Sequence, residues 1–190
     1  MKIVSVHSDE EVVAVRQLFA EYACSLNIDL CFQGFQQELA ELPGRYAPPP
    51  GRLLLALEGE AVVGCVALRK IDDGICEMKR LYVRPAFRGM GAGRLLVTAV
   101  LEAARECGYR VMRLDTLVSM KEARALYESF GFIRAAPYYE HPSAEAVFME
   151  LDLRQNSKRQ RPSTLQGTSK LQHPSSRETS KSKPQKGHRA

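Results

Sequence analysis

The chain has 190 residues, of which 45% are hydrophobic and 26% charged. That suits one globular domain with a sizeable core and excludes a disordered, collagen-like or membrane-embedded composition. The net charge of +5 is uneven: residues 154–190 hold ten Lys or Arg against Glu178 alone, which leaves −4 on residues 1–153.

In chain order, Lys2 to Val6 alternates as a short strand. Ser8-Asp-Glu-Glu11 reads as a capping box, in which a Ser oxygen accepts from the amide three residues on and Glu11 returns the bond. Val12, Val15, Phe19, Tyr22 and Leu26 follow at helical spacing. A second helix is expected from about Phe32 to Leu42, stopped by Pro43-Gly44. Arg52 to Leu57 and Ala61 to Arg69 form a hairpin across Glu58-Gly59-Glu60, and Asp72-Asp73-Gly74 turns the chain into a strand from Ile75 to Val83.

Gly91 to Cys107 is amphipathic, with Leu95, Leu96, Ala99, Val100, Ala103 and Ala104 on its apolar face and Gly108 as its stop. Arg110 to Thr116 is a strand. Ser119-Met-Lys-Glu122 is expected to cap a further helix that Gly131 closes. Phe132 to Ala135 and Ala146 to Leu151 are the last strands, joined by the loop Pro137 to Pro142. The order β-α-α-β-β-β-α-β-α-β-β predicts a mixed α/β fold, a sheet with helices on both faces.

From Arg154 onward there is no aromatic residue, and Leu165 and Leu171 are the only large aliphatic ones. Such a segment buries too little apolar surface to offset its ordering entropy, so residues 154–190 are expected to be a basic, disordered tail after a domain of residues 1–153. The tail reads as a solubilising extension or as an electrostatic contact for nucleic acid, although no helix-turn-helix or aromatic RNA-binding motif accompanies it.

The most informative stretch is Arg88-Gly-Met-Gly-Ala-Gly-Arg94, which follows a strand and opens a helix. Glycines there turn the chain sharply and leave the amides uncovered. Free amides at a helix start, with the macrodipole behind them, suit a pyrophosphate, and Arg88 and Arg94 add cationic donors. The spacing is GxGxG, which is not the dinucleotide GxGxxG, and the Walker pattern is absent. A glycine-rich helix start that merely packs tightly is the competing reading.

Two landmarks decide between them. Arg88-x-x-Gly91-x-Gly93 resembles the Arg/Gln-x-x-Gly-x-Gly/Ala signature of the GNAT acetyltransferase superfamily, and Leu126-Tyr127 with Phe130-Gly131-Phe132 resembles its second conserved helix end. The resemblance covers about residues 2–152. It implies a central, mostly antiparallel sheet of about six or seven strands. It also implies acetyl-CoA as co-substrate. Leu81, Tyr82 and Val83 would offer backbone bonds to the pantetheine arm beside a diverging strand, while Arg88, Gly89, Met90, Gly91, Ala92, Gly93 and Arg94 would wrap the pyrophosphate. One departure stands out: Met120 occupies a position where many relatives carry an Asn that bonds the pantetheine, leaving Thr116 or Ser119 to substitute.

Acetyl transfer to an amine needs a neutral amine, a polarised carbonyl and a proton for the leaving thiolate. By the resemblance, Tyr127 is the general acid; without it, Tyr127 would read as a core tyrosine. Glu77, in a strand rich in apolar residues, is the candidate base or a contact for the substrate ammonium, with an outward-facing charge or a partner for Lys79 or Arg80 as alternatives. An amide near Val83 is expected to polarise the carbonyl. Tyr138, Tyr139 and His141, in the loop expected to border the acceptor, are candidate substrate contacts. No His/Cys/Asp cluster has metal-ligand spacing, so no metal is expected.

Five cysteines without a CxxC pair, and an N-terminus without a signal pattern, predict a reduced, cytoplasmic protein, monomeric or dimeric, with no membrane partner. The competing function classes are a CoA-binding module without catalysis and a nucleic-acid-associated protein acting through its tail. The acidic domain leans toward a cationic amine acceptor, whether a small metabolite or a peptide amine.

Overall fold

The computed structural model describes residues 1–26, 34–141 and 143–154. The basic segment beyond Arg154 and the expected helix start at Phe32 lie outside them. The elements are β1 (Lys2–Ser5), α1 (Asp9–Ser25), α2 (Phe35–Glu41), β2 (Arg52–Glu58), β3 (Ala61–Asp72), β4 (Ile75–Val83), α3 (Ala92–Glu106), β5 (Val111–Leu117), α4 (Lys121–Ser129), β6 (Ile133–Arg134) and β7 (Ala146–Asp152). The fold class is the mixed α/β one expected.

The local signals act as their chemistry predicts at most points. The Ser8 hydroxyl accepts from Glu11 N at 3.2 Å, and Glu11 Oε2 accepts from Ser8 N at 3.0 Å, so both halves of the capping box form. Two expectations are corrected. Ser119 does not cap α4: the helix begins at Lys121 with Met120 in the N-cap position and no side-chain bond. Ser119 is thus one residue too early to reach the free amides. Leu95 is 42% exposed rather than buried. It sits one residue off the stripe of Leu96, Val97, Val100, Leu101 and Ala104, which is the width one helical face can bury.

Seven strands form one sheet in the order β1-β2-β3-β4-β5-β7-β6. Every neighbouring pair is antiparallel except β4 and β5, which run parallel. One face packs against α3 and α4 through Leu54, Val66, Leu96, Val100, Met112 and Phe132. The other packs against α1 and α2 through Val15, Phe19, Phe35, Leu53, Cys65 and Ala67.

Two irregularities in β4 position the site. Between the pairs Cys65↔Tyr82 and Ala67↔Lys79, β4 spends one residue more than β3, a bulge. Arg80 there has φ of 56°, the left-handed region that a non-glycine residue enters at a cost of about 1 kcal/mol or more. The bulge is held rather than tolerated: the Cys65 thiol donates to the Arg80 carbonyl at 3.4 Å. On its other edge β4 pairs with β5 only at Ile75↔Val111, Cys76↔Met112 and Glu77↔Arg113. Both strands continue beyond Glu77 and Arg113, to Val83 and Leu117, without pairing to each other. The sheet therefore opens into a V at its centre.

Gly64 faces the bulged half of β4 so closely that an added Cβ would lie 2.3 Å from the Tyr82 carbonyl oxygen and 3.1 Å from Val83 Cα. Backbone cannot yield there as a flexible side chain would. Gly64→Ala is expected to cost about 2–3 kcal/mol and to lower the thermal midpoint by several degrees. A variant that melts with the native protein would contradict the close β3–β4 approach.

Candidate active site

The outer part of the V is a groove of about 810 Å³. Leu81, Tyr82 and Val83 line one wall, Ser119, Ala123 and Tyr127 the other, and Arg88 to Arg94 without Met90 its end. The sequence-predicted cofactor residues thus come together around one cavity, with Met90 58% exposed beside it. Ser119, released from capping, joins them. Thr116 donates to Met120 Sδ at 3.6 Å.

The glycine turn offers what its sequence promised. Helix α3 makes its first hydrogen bond from Leu95 N to the Gly91 carbonyl at 3.1 Å. The amides of residues 89–94 donate to no backbone carbonyl among the described residues. Gly89 and Gly91 have φ of 78° and 86°, and a Cβ at either would meet nothing within 4 Å. Glycine is needed there for conformation, and the space over the amides is open. The two arginines rest on the protein: Arg88 Nε donates to the Val83 carbonyl at 3.1 Å, and Arg94 donates to Ser129 Oγ at 3.1 Å. Uncovered amides at a helix N-terminus flanked by two guanidinium groups fit a pyrophosphate.

At its inner end the groove meets a smaller cavity of about 30 Å³. The two share Tyr22, Leu26, Leu81, Leu117, Met120 and Tyr127. Tyr127 is therefore at the junction. Its ring packs 5.9 Å from that of Phe132, and its hydroxyl has no hydrogen-bond partner among the described residues. Burial pushes that hydroxyl well above the ordinary tyrosine range, so it carries its proton at neutral pH. Burial likewise pushes Tyr22 up to about 12.

The face of the sheet toward α1 and α2 carries a cluster of buried charges that the sequence reading largely missed. Lys79 and Asp115 line the inner cavity and bridge the V with a 2.8 Å bond. Burial alone would raise the Asp115 carboxyl, but the Lys79 ammonium more than reverses this and holds it below the usual carboxylate range. Glu77 lines neither cavity and is fully buried: Arg69 Nε reaches its Oε2 at 2.6 Å, and the Tyr138 hydroxyl donates to Oε1 at 2.7 Å. Arg80 makes a two-point bond to Glu38, at 2.9 and 2.6 Å, and lies over the Phe35 ring. Alternation along β4 would have put Glu77 and Lys79 on one face. Their partners Arg69 and Asp115, like Glu38 opposite Arg80, lie on other elements and carry no sequence signal.

Among the loop residues, His141 lines the inner cavity, Tyr138 is tied to Glu77, and Tyr139 packs edge-on against Phe148 at 5.2 Å with its hydroxyl buried near Asp115. No group of His, Cys, Asp and Glu among the described residues could hold a metal ion. No helix among them is long and apolar enough to cross a membrane.

Comparison with known proteins agrees with this geometry. The model of the Acetyltransferase (GNAT) family matches residues 15–132. An uncharacterized N-acetyltransferase of Schizosaccharomyces pombe is 39% identical over 155 residues, spanning 80% of this chain and 95% of that protein. An uncharacterized N-acetyltransferase of Dictyostelium discoideum is 33% identical, spanning 81% of this chain and all of that one. A Salmonella typhimurium protein solved with its cofactor acetyl-CoA shares the fold, with a TM-score of 0.62 at 21% identity over 82% of this chain and 96% of that one.

The Arg80–Glu38 pair generates a pH prediction. Burial pushes the Glu38 carboxyl up, and Arg80, aided by the Tyr46 hydroxyl, more than reverses this, so Glu38 titrates below the usual carboxylate range. A depressed folded-state pKa contributes stability that is complete above the unfolded value of about 4.3 and is lost as pH falls through the folded value. Glu38→Gln leaves Arg80 buried without its counter-charge, which costs about 3–5 kcal/mol at pH 7. The gap in thermal midpoint between native and variant is expected to narrow from pH 6 to pH 3. A gap that stays constant would show that the pairing does not contribute in this way.

Proposed function

The chain belongs to the GNAT family of N-acetyltransferases, and we propose that it moves the acetyl group of acetyl-CoA to a primary amine within a ternary complex, with Tyr127 as general acid. The observation that carries this reading is the sequence of features along one V: amides at residues 89–94 that donate to no backbone carbonyl among the described residues, a β4 edge at Leu81 to Val83 that is not paired with β5, and a protonated tyrosine at the inner end. Bound acetyl-CoA supplies the acetyl group as a thioester.

The chain's own residues would divide the remaining work. Residues 89–94 with Arg88 and Arg94 hold the pyrophosphate, and the edge of β4 takes the pantetheine arm. Tyr127 Oη holds a proton at the junction of the two cavities, where the departing sulfur would need it. In the balanced reaction an N–C bond forms and the C–S bond breaks. Of the two protons that the acceptor ammonium loses, one leaves to solvent and one is restored to Tyr127 after it protonates the thiolate.

Glu77 supports this reading in a different manner from Tyr127. With Arg69 and Tyr138 already on its carboxylate, it serves to fix the Tyr138 loop and to balance the charge of Lys79, and proton removal from the amine passes through water. Leu81, Leu117 and Met120 give the reacting end apolar walls beside Tyr127.

Thiol release measured with an amine panel tests the reading. Tyr127→Phe is expected to lower kcat by about 10²-fold while leaving acetyl-CoA affinity unchanged, because the phenol acts on the leaving group alone. Equal turnover by native protein and variant would remove Tyr127 from the chemistry. A native protein that binds acetyl-CoA but acetylates no amine would favour a CoA-binding module without catalysis.

A further inference from the structure

The Lys79–Asp115 pair is unusual in its setting. The two residues lie on facing strands just beyond Glu77↔Arg113, the last parallel pairing, at the closed end of the V. Their side chains are only 6% and 14% exposed, yet both line the inner cavity beside Tyr127. A purely structural buried pair would be expected to have its remaining capacity filled by neighbours. Here Asp115 Oδ1 accepts from Lys79, and the Tyr139 hydroxyl stands near the same carboxylate, which helps to push that hydroxyl up, without a bond of good geometry. The Lys79 ammonium has three donors, with Asp115 at 2.8 Å and the next carboxylate oxygen, of Glu77, at 4.0 Å.

The surrounding charges are balanced. Arg69, Lys79 and Arg80 face Glu77, Asp115 and Glu38, three cations to three anions. A ligand that brought one uncompensated charge into this desolvated cluster would upset it, whereas one that brought both signs together would not. His141 lines the same cavity, and its Nδ1 accepts from Ser143 N at 3.0 Å.

From this we infer that the acceptor, given the transferase reading above, is a small amine bearing a neighbouring carboxylate, whose ammonium is met by Asp115 and whose carboxylate is met by Lys79. Substrate and pair would form a closed ring of alternating charge at the inner end of the V. The 2.8 Å spacing of Nζ and Oδ1 requires the two substrate charges to lie close together, as in an α- or β-amino acid head. The inner cavity, of about 30 Å³, opens into the groove, so a compact head suits it better than a bulky one. This reverses the leaning of the acidic domain toward a purely cationic amine: the local pair, and not the net charge, selects the acceptor.

The test uses the full chain loaded with acetyl-CoA, whose binding is first measured by calorimetry. Thiol release and product mass are then recorded for α-amino acids and β-alanine, each beside its C-terminal amide and its decarboxylated amine, with 6-aminohexanoate and spermidine included. The expected result is kcat/KM at least about tenfold higher for one or more short amino acids than for their amides and decarboxylated counterparts. Single substitutions leave one charge buried alone, so the deciding variant is Lys79→Met with Asp115→Leu, which removes both. It is expected to bind acetyl-CoA with the native Kd while the ratio of kcat/KM between amino acid and decarboxylated amine falls to about one.

The inference is overturned if amides, 6-aminohexanoate or spermidine are used as well as the short amino acids, if the double variant keeps the preference, or if protein that binds acetyl-CoA acetylates none of the carboxylated amines. A native protein that binds no acetyl-CoA refutes the transferase reading itself, and this inference with it.

Discussion

Parallel pairing between β4 and β5 lasts for three residues and then stops, and the rest of the site follows from that divergence. A parallel pair in the middle of a sheet would ordinarily satisfy its backbone along its length, and an unpaired stretch leaves donors and acceptors to be met by something else. The bulge at Arg80 lies beside the point of separation and turns the strand, as bulges next to functional sites commonly do. It is held in its left-handed conformation by packing on three sides. Cys65 takes the carbonyl, Glu38 takes the guanidinium in two bonds, and the Phe35 ring lies beneath it.

The opening has two chemically different halves. On the side of α3 and α4, the groove is lined by glycine amides, Leu81, Val83 and Leu126, an environment for a long ligand with an anionic end and an apolar arm. On the side of α1 and α2, the same strands present Lys79, Asp115 and Arg80, backed by Glu77, Arg69 and Glu38. Tyr127 sits where the halves meet. A proton donor at such a junction can reach a group held from one side while its reaction partner is held from the other. The buried charges are matched one to one, which is the condition under which a low-dielectric site tolerates them.

The fold was largely readable from the chain because its signals are local. The Ser8–Glu11 box, the turns at Gly59 and Gly74, and the glycine stops at Gly108 and Gly131 each act over four residues or fewer. The cofactor groove was readable for the same reason: Arg88 to Arg94 is one contiguous stretch, and the strand that precedes it forms the facing wall. The acceptor side was not. Its pairs join residues separated by 36 and 42 positions, Lys79 with Asp115 and Arg80 with Glu38, and neither partner is marked by a motif. Glu77 drew attention as a carboxylate in an apolar strand, yet what explains its burial is Arg69 on the neighbouring strand and Tyr138 from a distant loop. Where the local reading failed, at Ser119 and Leu95, the shift was one residue, enough to change which group points at the groove or into the core.

The central claim is that acetyl-CoA occupies the V, with its pyrophosphate on the amides of residues 89–94 and its arm along β4. Amide hydrogen exchange followed with and without acetyl-CoA tests it directly, because the amides concerned have no backbone acceptor among the described residues. The account predicts fast exchange at residues 89–94 in the free protein and marked slowing there, and at Leu81 to Val83, when acetyl-CoA is added. Slowing confined to other segments, or no change at residues 89–94 under saturating acetyl-CoA, would contradict it.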